Sequence, residues 1–399
     1  MRFWFASNNA NREMIDTQSR AQFELTDEQR QIAALAAEFA QGEIAPFIAQ
    51  WDRDHTFPRE LYGKLAQVGI MGIIVPESYG GVGADYVSYA LAIEELARID
   101  AGTATTVSVH TMICSAILRL GSDAQKQHWL PKLVAGGIGG FALTEPDAGS
   151  DAAAIRAGAK RVDAGYLLNG RKQWCTNGSV ADVMMAMFRT GGPGAKGVSA
   201  FLVDSATPGI VVERITEKLG IHTSNTCDLA FDDARVGDDA LLGASGDGFG
   251  SAMTALASGR IGIAAQATGI LAGCLDQSVA FAKQRSAFGK PIGAYEGISF
   301  KIAQMATDLD ASRLLVYRAA ALADAGKPFV IEASKAKLFA STAARKHASE
   351  ALQIHGGYGY TTEFPIERFY RDAKITEIYE GTSEIQQLII ARSILGKLA

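Results

Sequence analysis

Tyr166-Leu167-Leu168-Asn169-Gly170-Arg171-Lys172-Gln173-Trp174 is the stretch on which the architecture turns. Asn-Gly between strand-like runs is the strongest short hairpin signal, so two strands are expected to meet at residues 169–170. Further strand-like runs occur at Val183 to Phe188, Ser199 to Val203, Ile210 to Val212 and Thr226 to Phe231, with Gly and Pro turns between them. A small barrel or sandwich is the natural closure for such a region.

On both sides the period becomes helical. Upstream, Thr26 with Gln29 and Ser122 with Gln125 have capping-box spacing. Ile32, Leu35, Ala36 and Phe39 then share a face, and Ala90 to Ile99 reads as a further helix before a break at Asp100-Ala101-Gly102. After Phe249, long helical segments are separated near Pro291, Pro328 and Gly356-Gly357, as in a bundle. The order helices, strands, helices predicts an α+β protein with segregated layers. The expected units are a flexible N-terminal tail (1–25), an N-terminal all-α domain (26–138), a middle β-barrel domain (139–245) and a C-terminal four-helix bundle (246–399).

A chain of 399 residues that is 48% hydrophobic and 20% charged can bury a sizeable core and reads as soluble and globular. Its net charge of −5 gives no basic footprint for nucleic acid, and no uninterrupted apolar run has the length of a membrane span. Cys114, Cys175, Cys227 and Cys274 are far apart and form no metal spacing, so reduced thiols in the cytoplasm are expected. Arg2, Arg12 and Arg20 leave a mitochondrial presequence as the alternative, against which stand Glu13 and Asp16. No HExxH pairs the six histidines, and no metal site is expected. Gly246-Asp247-Gly248-Phe249-Gly250 lacks the third glycine and the leading strand of a dinucleotide fingerprint.

Near the carboxyl end, Ile378-Tyr379-Glu380-Gly381-Thr382-Ser383-Glu384-Ile385-Gln386 sets a lone carboxylate on a Gly turn. Ser383 and Gln386 have capping-box spacing, and Ile385, Leu388, Ile389 and Leu395 continue at helical intervals to Gly396. Glu380 therefore precedes the helix. Its apolar neighbours Ile378 and Tyr379 are expected to strip its hydration and make it a stronger proton acceptor, whereas a solvated turn glutamate is the alternative. The run Phe141 to Asp151 combines small residues and hydroxyls that let backbone amides approach an anionic or amide-rich ligand, or that merely make a turn. Trp174 and Thr176 add an aromatic plane and a hydroxyl, and Arg285 with Phe288 ends a long helix where a phosphate could be met.

Together these motifs resemble the acyl-CoA dehydrogenase flavoprotein family from about Thr26 to Lys397. Short-chain and short-branched-chain members are the most similar, through Phe141-Ala142-Leu143-Thr144-Glu145-Pro146, Arg189 to Gly194, Gly259-Arg260-Ile261 and Gln353 to Gly359. The resemblance implies FAD, with Phe141, Leu143, Thr144, Gly149 and Ser150 in the flavin cradle and Trp174 and Thr176 against the ring. It assigns Arg285, Phe288, Gln353, Gly356 and Gly357 to the pyrophosphate and adenine side, partly across a subunit interface. Thr382 and Glu384 match further FAD contacts, and Ser150, Arg260 and Gly381 fall at substrate positions. The family's base occupies one of two chain positions; the alternative here is Gly259, which leaves Glu380. Glu296 stands where many relatives carry a Gln that touches FAD, and Ala257 replaces an Asp common in short-chain members.

The implied activity is α,β-dehydrogenation of a short- or branched-chain acyl-CoA to the 2,3-enoyl-CoA, with Glu380 taking the α-proton and flavin N5 the hydride. A homotetramer and an electron-transferring flavoprotein as electron acceptor are implied with it. The rivals are an oxygen-using acyl-CoA oxidase and a noncatalytic or DNA-associated flavoprotein on the same scaffold; a nitroalkane-oxidising relative would carry Asp at the base position.

Overall fold

The computed structural model describes residues 24–396. Residues 1–23 of the tail, with Arg2, Arg12 and Arg20, lie outside the described residues, as do Lys397, Leu398 and Ala399.

Six helices come first: α1 (Asp27–Phe39), α2 (Ile48–Arg53), α3 (Arg59–Gln67), α4 (Tyr86–Ala97), α5 (Ala101–Leu120) and α6 (Asp123–Val134). Two of the three predicted capping boxes form, Thr26 with Gln29 on α1 and Ser122 with Gln125 on α6. The break after α4 is narrower than its sequence suggests. Asp100 accepts the Gly102 and Thr103 amides as N-cap of α5, so Ala101 and Gly102 open a helix instead of a loop. α5 is long and apolar enough to cross a membrane, yet 94% of that window is buried inside the protein, which makes it a core helix.

Eight strands follow: β1 (Gly139–Ala142), β2 (Gly158–Val162), β3 (Gly165–Thr176), β4 (Val183–Arg189), β5 (Val198–Asp204), β6 (Ile210–Ile215), β7 (Thr226–Gly237) and β8 (Leu241–Leu242). They form one sheet in the order β6-β7-β3-β1-β4-β5-β8, with β2 joined to both β3 and β4. β4 is covered on both faces, which explains its unbroken apolar sequence. Met184, Ala186 and Phe188 meet Leu168, Phe201 and Phe231 in the barrel interior, while Val183, Met185 and Met187 pack with Met112, Leu133 and Leu256 of the helices.

The Asn169-Gly170 hairpin does not form. Both residues lie inside the 12-residue β3, and the hairpin to β2 turns instead at Asp163-Ala164, where Ala164 has φ +57°. Gly170, at φ +131°, marks a shift in the register of β3 against β7, while Asn169 exchanges hydrogen bonds with Asp233. Asn-Gly supplies the unusual dihedrals of a bulge as readily as those of a turn.

The remaining helices are α7 (Gly248–Gln284), α8 (Glu296–Asp324), α9 (Val330–His355), α10 (Ile366–Ile375) and α11 (Ser383–Leu395). α7 runs 37 residues and packs on the first helical domain, the sheet and its own bundle. Its glycines permit the contact: a Cβ on Gly269 would overlap the Glu94 carbonyl oxygen of α4. Because that partner is backbone, Gly269→Ala is expected to destabilise by ~1–3 kcal/mol despite its better helix propensity. Gly250→Ala, where a Cβ meets open space, should be neutral or stabilising by up to ~1 kcal/mol. Urea unfolding of both variants checks this, and equal stabilities would show that the helix crossing yields.

Candidate active site

The chain between α10 and α11 makes a left-handed double step, with Glu380 at φ +52° and Gly381 at φ +93°. Three side chains hold it. Gln386, fully buried, donates Nε2 to Gly381 O at 2.8 Å and to Glu380 O at 3.3 Å. Lys337 Nζ of α9 donates to the same Gly381 oxygen at 2.8 Å. Tyr379 hydrogen-bonds through its hydroxyl to Gln266 of α7, whose Nε2 reaches Thr105 Oγ1 and Ala101 O of α5. The predicted Ser383 capping box is displaced by one residue: Thr382 is the N-cap, accepting from Ile385 N, and Gln386 turns back to fasten the turn.

The Glu380 backbone is partly open, but its carboxylate points inward. Both oxygens are buried, and among the described residues neither has a hydrogen-bond partner. Loss of hydration raises its pKa from 4.5 to about 7, while the positive charges of Arg260 and Lys337 pull the other way. The drying neighbours differ in part from those expected. Tyr379 is half-buried and packs against the core, whereas Ile378 is 48% exposed. A Cβ on Gly259 would collide with Glu380 Oε2 and approach Met112 Sδ, so the carboxylate fills the notch that the glycine leaves in α7. Arg260, adjacent in sequence and 4% exposed, has its pKa lowered by burial and raised by Glu380.

A second group gathers at the end of β1. Phe141 pairs with Thr176, and Gln173 N donates to Thr144 O, so residues 141–144 and 173–176 run side by side. Trp174 is 55% exposed at φ +53°, an open aromatic face on a strained backbone, and Gly149 and Ser150 are exposed in the loop that follows β1. Leu143 is buried in the core, which leaves only its backbone for a ligand. The loop is anchored by a dry ion pair, Lys172 Nζ to Glu145 Oε1 at 2.6 Å. Glu145 also accepts the Arg156 and Ala157 amides, and Lys172 reaches Leu143 O. An exposed aromatic plane beside hydroxyls and open amides fits an isoalloxazine ring.

The third group lies beyond the C-terminal end of α7. Arg285 caps that helix with its guanidinium 5.6 Å from the Tyr358 ring, and a groove there is lined by Phe281, His355, Gly356 and Gly357. Phe288 is 96% exposed at φ +50°; Gln353 and Glu296 are exposed too. A cation above two uncovered glycines suits a pyrophosphate. Among the described residues no hydrogen bond or ion pair joins this group to Glu380 or Trp174. Glu384 is exposed in the first turn of α11, with its pKa lowered by a backbone hydrogen bond and then by Thr382.

Lys337 and Met112, with the turn-fastening role of Gln386 and the Glu145–Lys172 pairing, have no counterpart in the expectations from sequence. A signal existed for Lys337, which falls in phase with Ala333, Ala336, Ala340 and Ala344 on the buried face of α9.

Comparison with known proteins agrees across the chain. The acyl-CoA dehydrogenase N-terminal, middle and C-terminal domain profiles match residues 26–137, 140–234 and 246–395. An acyl-CoA dehydrogenase of Bacillus subtilis (strain 168) is 49% identical over 93% of this chain and 99% of its own. The structure of butyryl-CoA dehydrogenase from Megasphaera elsdenii superposes with TM-score 0.92 at 43% identity, covering 94% of this chain and 99% of that one. A chain in a structure of the electron-transferring flavoprotein of Acidaminococcus fermentans, solved toward a mechanism of flavin-based electron bifurcation, gives TM-score 0.93 at 42% identity, covering 94% and 100%.

The dry carboxylate has a thermodynamic consequence. Its folded pKa of about 7 exceeds the unfolded 4.5, so the stability it contributes is full below pH 4.5 and lost as pH rises through 7. Glutamine stays neutral throughout. Glu380→Gln should therefore be more stable than the parent by about 3 kcal/mol at pH 8, at ~1.4 kcal/mol per pH unit across the window, and by far less at pH 5. Denaturant unfolding at the two pH values checks this; equal stability at pH 8 would mean a hydrated carboxylate.

Proposed function

This chain belongs to the acyl-CoA dehydrogenase family, and from that premise we propose that Glu380 removes the α-proton of a short, butyryl-sized acyl-CoA. The chain is an FAD-dependent oxidoreductase acting on acyl-CoA. The observation that carries the base assignment is the carboxylate itself, desolvated, unpaired and poised with a pKa of about 7.

Bound FAD supplies the acceptor for the β-hydride, so that loss of proton and hydride gives the 2,3-enoyl-CoA. Everything else falls to the protein. Among the described residues the Glu380 N–H donates to no protein acceptor, which leaves it free to polarise the thioester carbonyl as enolate-like charge develops. Gly259 leaves the notch that the carboxylate occupies. Phe141, Thr144, Gly149, Ser150, Trp174 and Thr176, with the Leu143 backbone, would hold the flavin; Thr382 and Glu384 lie next to the base. Arg285, Phe288, Gln353, Gly356, Gly357 and Glu296 would serve the phosphate and adenine side of a neighbouring copy's cofactor, which makes a homotetramer the proposed assembly. The apolar surface left on α11, with Leu388, Ile394 and Leu395 exposed, supports that reading. Butyryl-CoA dehydrogenase among the similar structures supports a straight short chain, with branched acyl groups as the variant reading. The Acidaminococcus structure supports an electron-transferring flavoprotein as acceptor. We place the enzyme in the cytoplasm, with domains divided as read from the sequence.

Anaerobic titration of the yellow protein with butyryl-, isobutyryl-, 2-methylbutyryl- and octanoyl-CoA should bleach the flavin fastest with butyryl-CoA. Glu380→Gln should keep FAD and lose at least ~10³-fold in rate, about 4 kcal/mol of barrier. In the parent, kcat/KM should climb tenfold per pH unit below about 7 and level off above it, because only the ionised Glu380 accepts a proton. Full turnover in the glutamine variant would discard the base assignment. Rapid peroxide formation without an acceptor protein would identify an oxidase. Light scattering should give four chains per particle, and a monomer with full FAD occupancy would reject the shared site.

A further inference from the structure

We propose that Lys337 is a positioning residue for the base, its ammonium pinning the Gly381 carbonyl so that the left-handed turn and the ionised Glu380 are held together. The proposal rests on Glu380 being the base.

Lys337 is fully buried on the small-residue face of α9. Burying an ammonium costs several kcal/mol unless charge and hydrogen bonds compensate. A lysine serving packing alone would be expected in an ion pair, as Lys172 is with Glu145. Lys337 has none within 4.0 Å among the described residues, and its one hydrogen bond goes to Gly381 O at 2.8 Å. Gln386 Nε2 donates to the same oxygen at 2.8 Å, so both lone pairs are used and the Gly381–Thr382 peptide, next after the base residue, is held. Nζ thus stands on the carbonyl of the residue that follows Glu380, on the inner side of the turn.

The charged groups around it come from several elements. Arg260 of α7 shares its sign; Glu380, Glu377 and Glu384 oppose it. Tyr89 of α4 and Tyr379 also feel the Glu380 charge, but burial keeps both neutral. Glu377 is drawn off to Lys374 and Arg345 at 2.7 Å each, and Glu384 is exposed. The carboxylate left to balance the buried ammonium is Glu380, which itself has no hydrogen-bond partner. Lys337 therefore acts twice, by its charge on the ionisation of the base and by its N–H on the geometry of the turn.

Three substitutions separate these roles. Lys337→Arg keeps charge and donor, Lys337→Gln keeps a donor without charge, and Lys337→Met removes both. Each is followed by FAD absorbance and by the pH profile of flavin bleaching with butyryl-CoA. All three should retain FAD. In Lys337→Gln the midpoint of the profile should move up by about one pH unit, so that the rate falls ~tenfold at pH 6 yet stays within ~threefold of the parent at pH 9. Lys337→Met should show the same displacement plus a pH-independent loss in kcat from the loosened turn, and Lys337→Arg should restore the parental midpoint. If Lys337→Met fails to fold, the Gln and Arg pair still decides the matter. An unmoved midpoint in Lys337→Gln would overturn the proposal while leaving Glu380 as base. Full turnover in Glu380→Gln would overturn both, and that result is visible without any Lys337 variant.

Discussion

The contact between α7 and everything laid across it governs this structure. One 37-residue helix touches the first helical domain, the sheet and the closing helices, and glycines cut its surface where another group must come close. At Gly269 the visitor is the Glu94 carbonyl; at Gly262 it is the hydroxyl pair Tyr89 and Ser108; at Gly259 it is the Glu380 carboxylate. Gly259 and Gly262 are three residues apart and so share a face of the helix. The same device that lets two helices cross also makes room for the Glu380 carboxylate. An alanine at any of these places would add helix propensity and take away space.

The carboxylate in that notch works against folding at neutral pH, and the surrounding turn explains how it is kept there. A glutamate at φ +52° has the wrong dihedral for its side chain, with a penalty on the order of 1–3 kcal/mol. Lys337, Gln386 and the Tyr379–Gln266–Thr105 chain over-determine the position by tying it to α9, α11, α7 and α5. All but the Gln386 tie join groups distant in sequence. The Glu380 carboxylate is therefore held by the finished tertiary structure, and its poise near neutrality is a property of the whole helical assembly.

That distribution accounts for what could be read from the chain and what could not. Local signals worked wherever local physics decides. The two capping boxes, the apolar run of β4 and the breaks near Pro291 and Pro328 all correspond to observed features. The placement of Glu380 ahead of α11 was legible because a carboxylate on a Gly turn before a helix is a local pattern. Asn169-Gly170 misled because positive φ serves bulges and turns alike, and only the partner strand β7 selects between them. Ser383 lost the cap to Thr382 because Gln386 was recruited by the Gly381 carbonyl, a preference invisible at the level of spacing. Lys337 was hidden for the reverse reason: nothing near it in sequence reveals that α9 turns it toward residue 381.

Backbone strain offers a reading independent of any motif. Among the described residues eight non-glycine positions have positive φ, and three of them, Trp174, Phe288 and Glu380, are among the residues proposed for cofactor or chemistry. Asn177 and Asp233 are types that tolerate the left-handed region, and Ala164 sits in a two-residue hairpin turn that requires it. A tryptophan or phenylalanine gains nothing there from its own backbone. Each is also exposed, at 55% and 96%, so burial of its ring within the chain does not offset the strain either. A large aromatic that is both strained and uncovered makes sense when a planar ligand or a second copy of the chain covers it. Trp174 is exposed beside residues 141–144, whereas Phe288 lies with Arg285 beyond the end of α7. The division of the three strained residues between separate groups fits the proposed cofactor site completed by a neighbouring subunit.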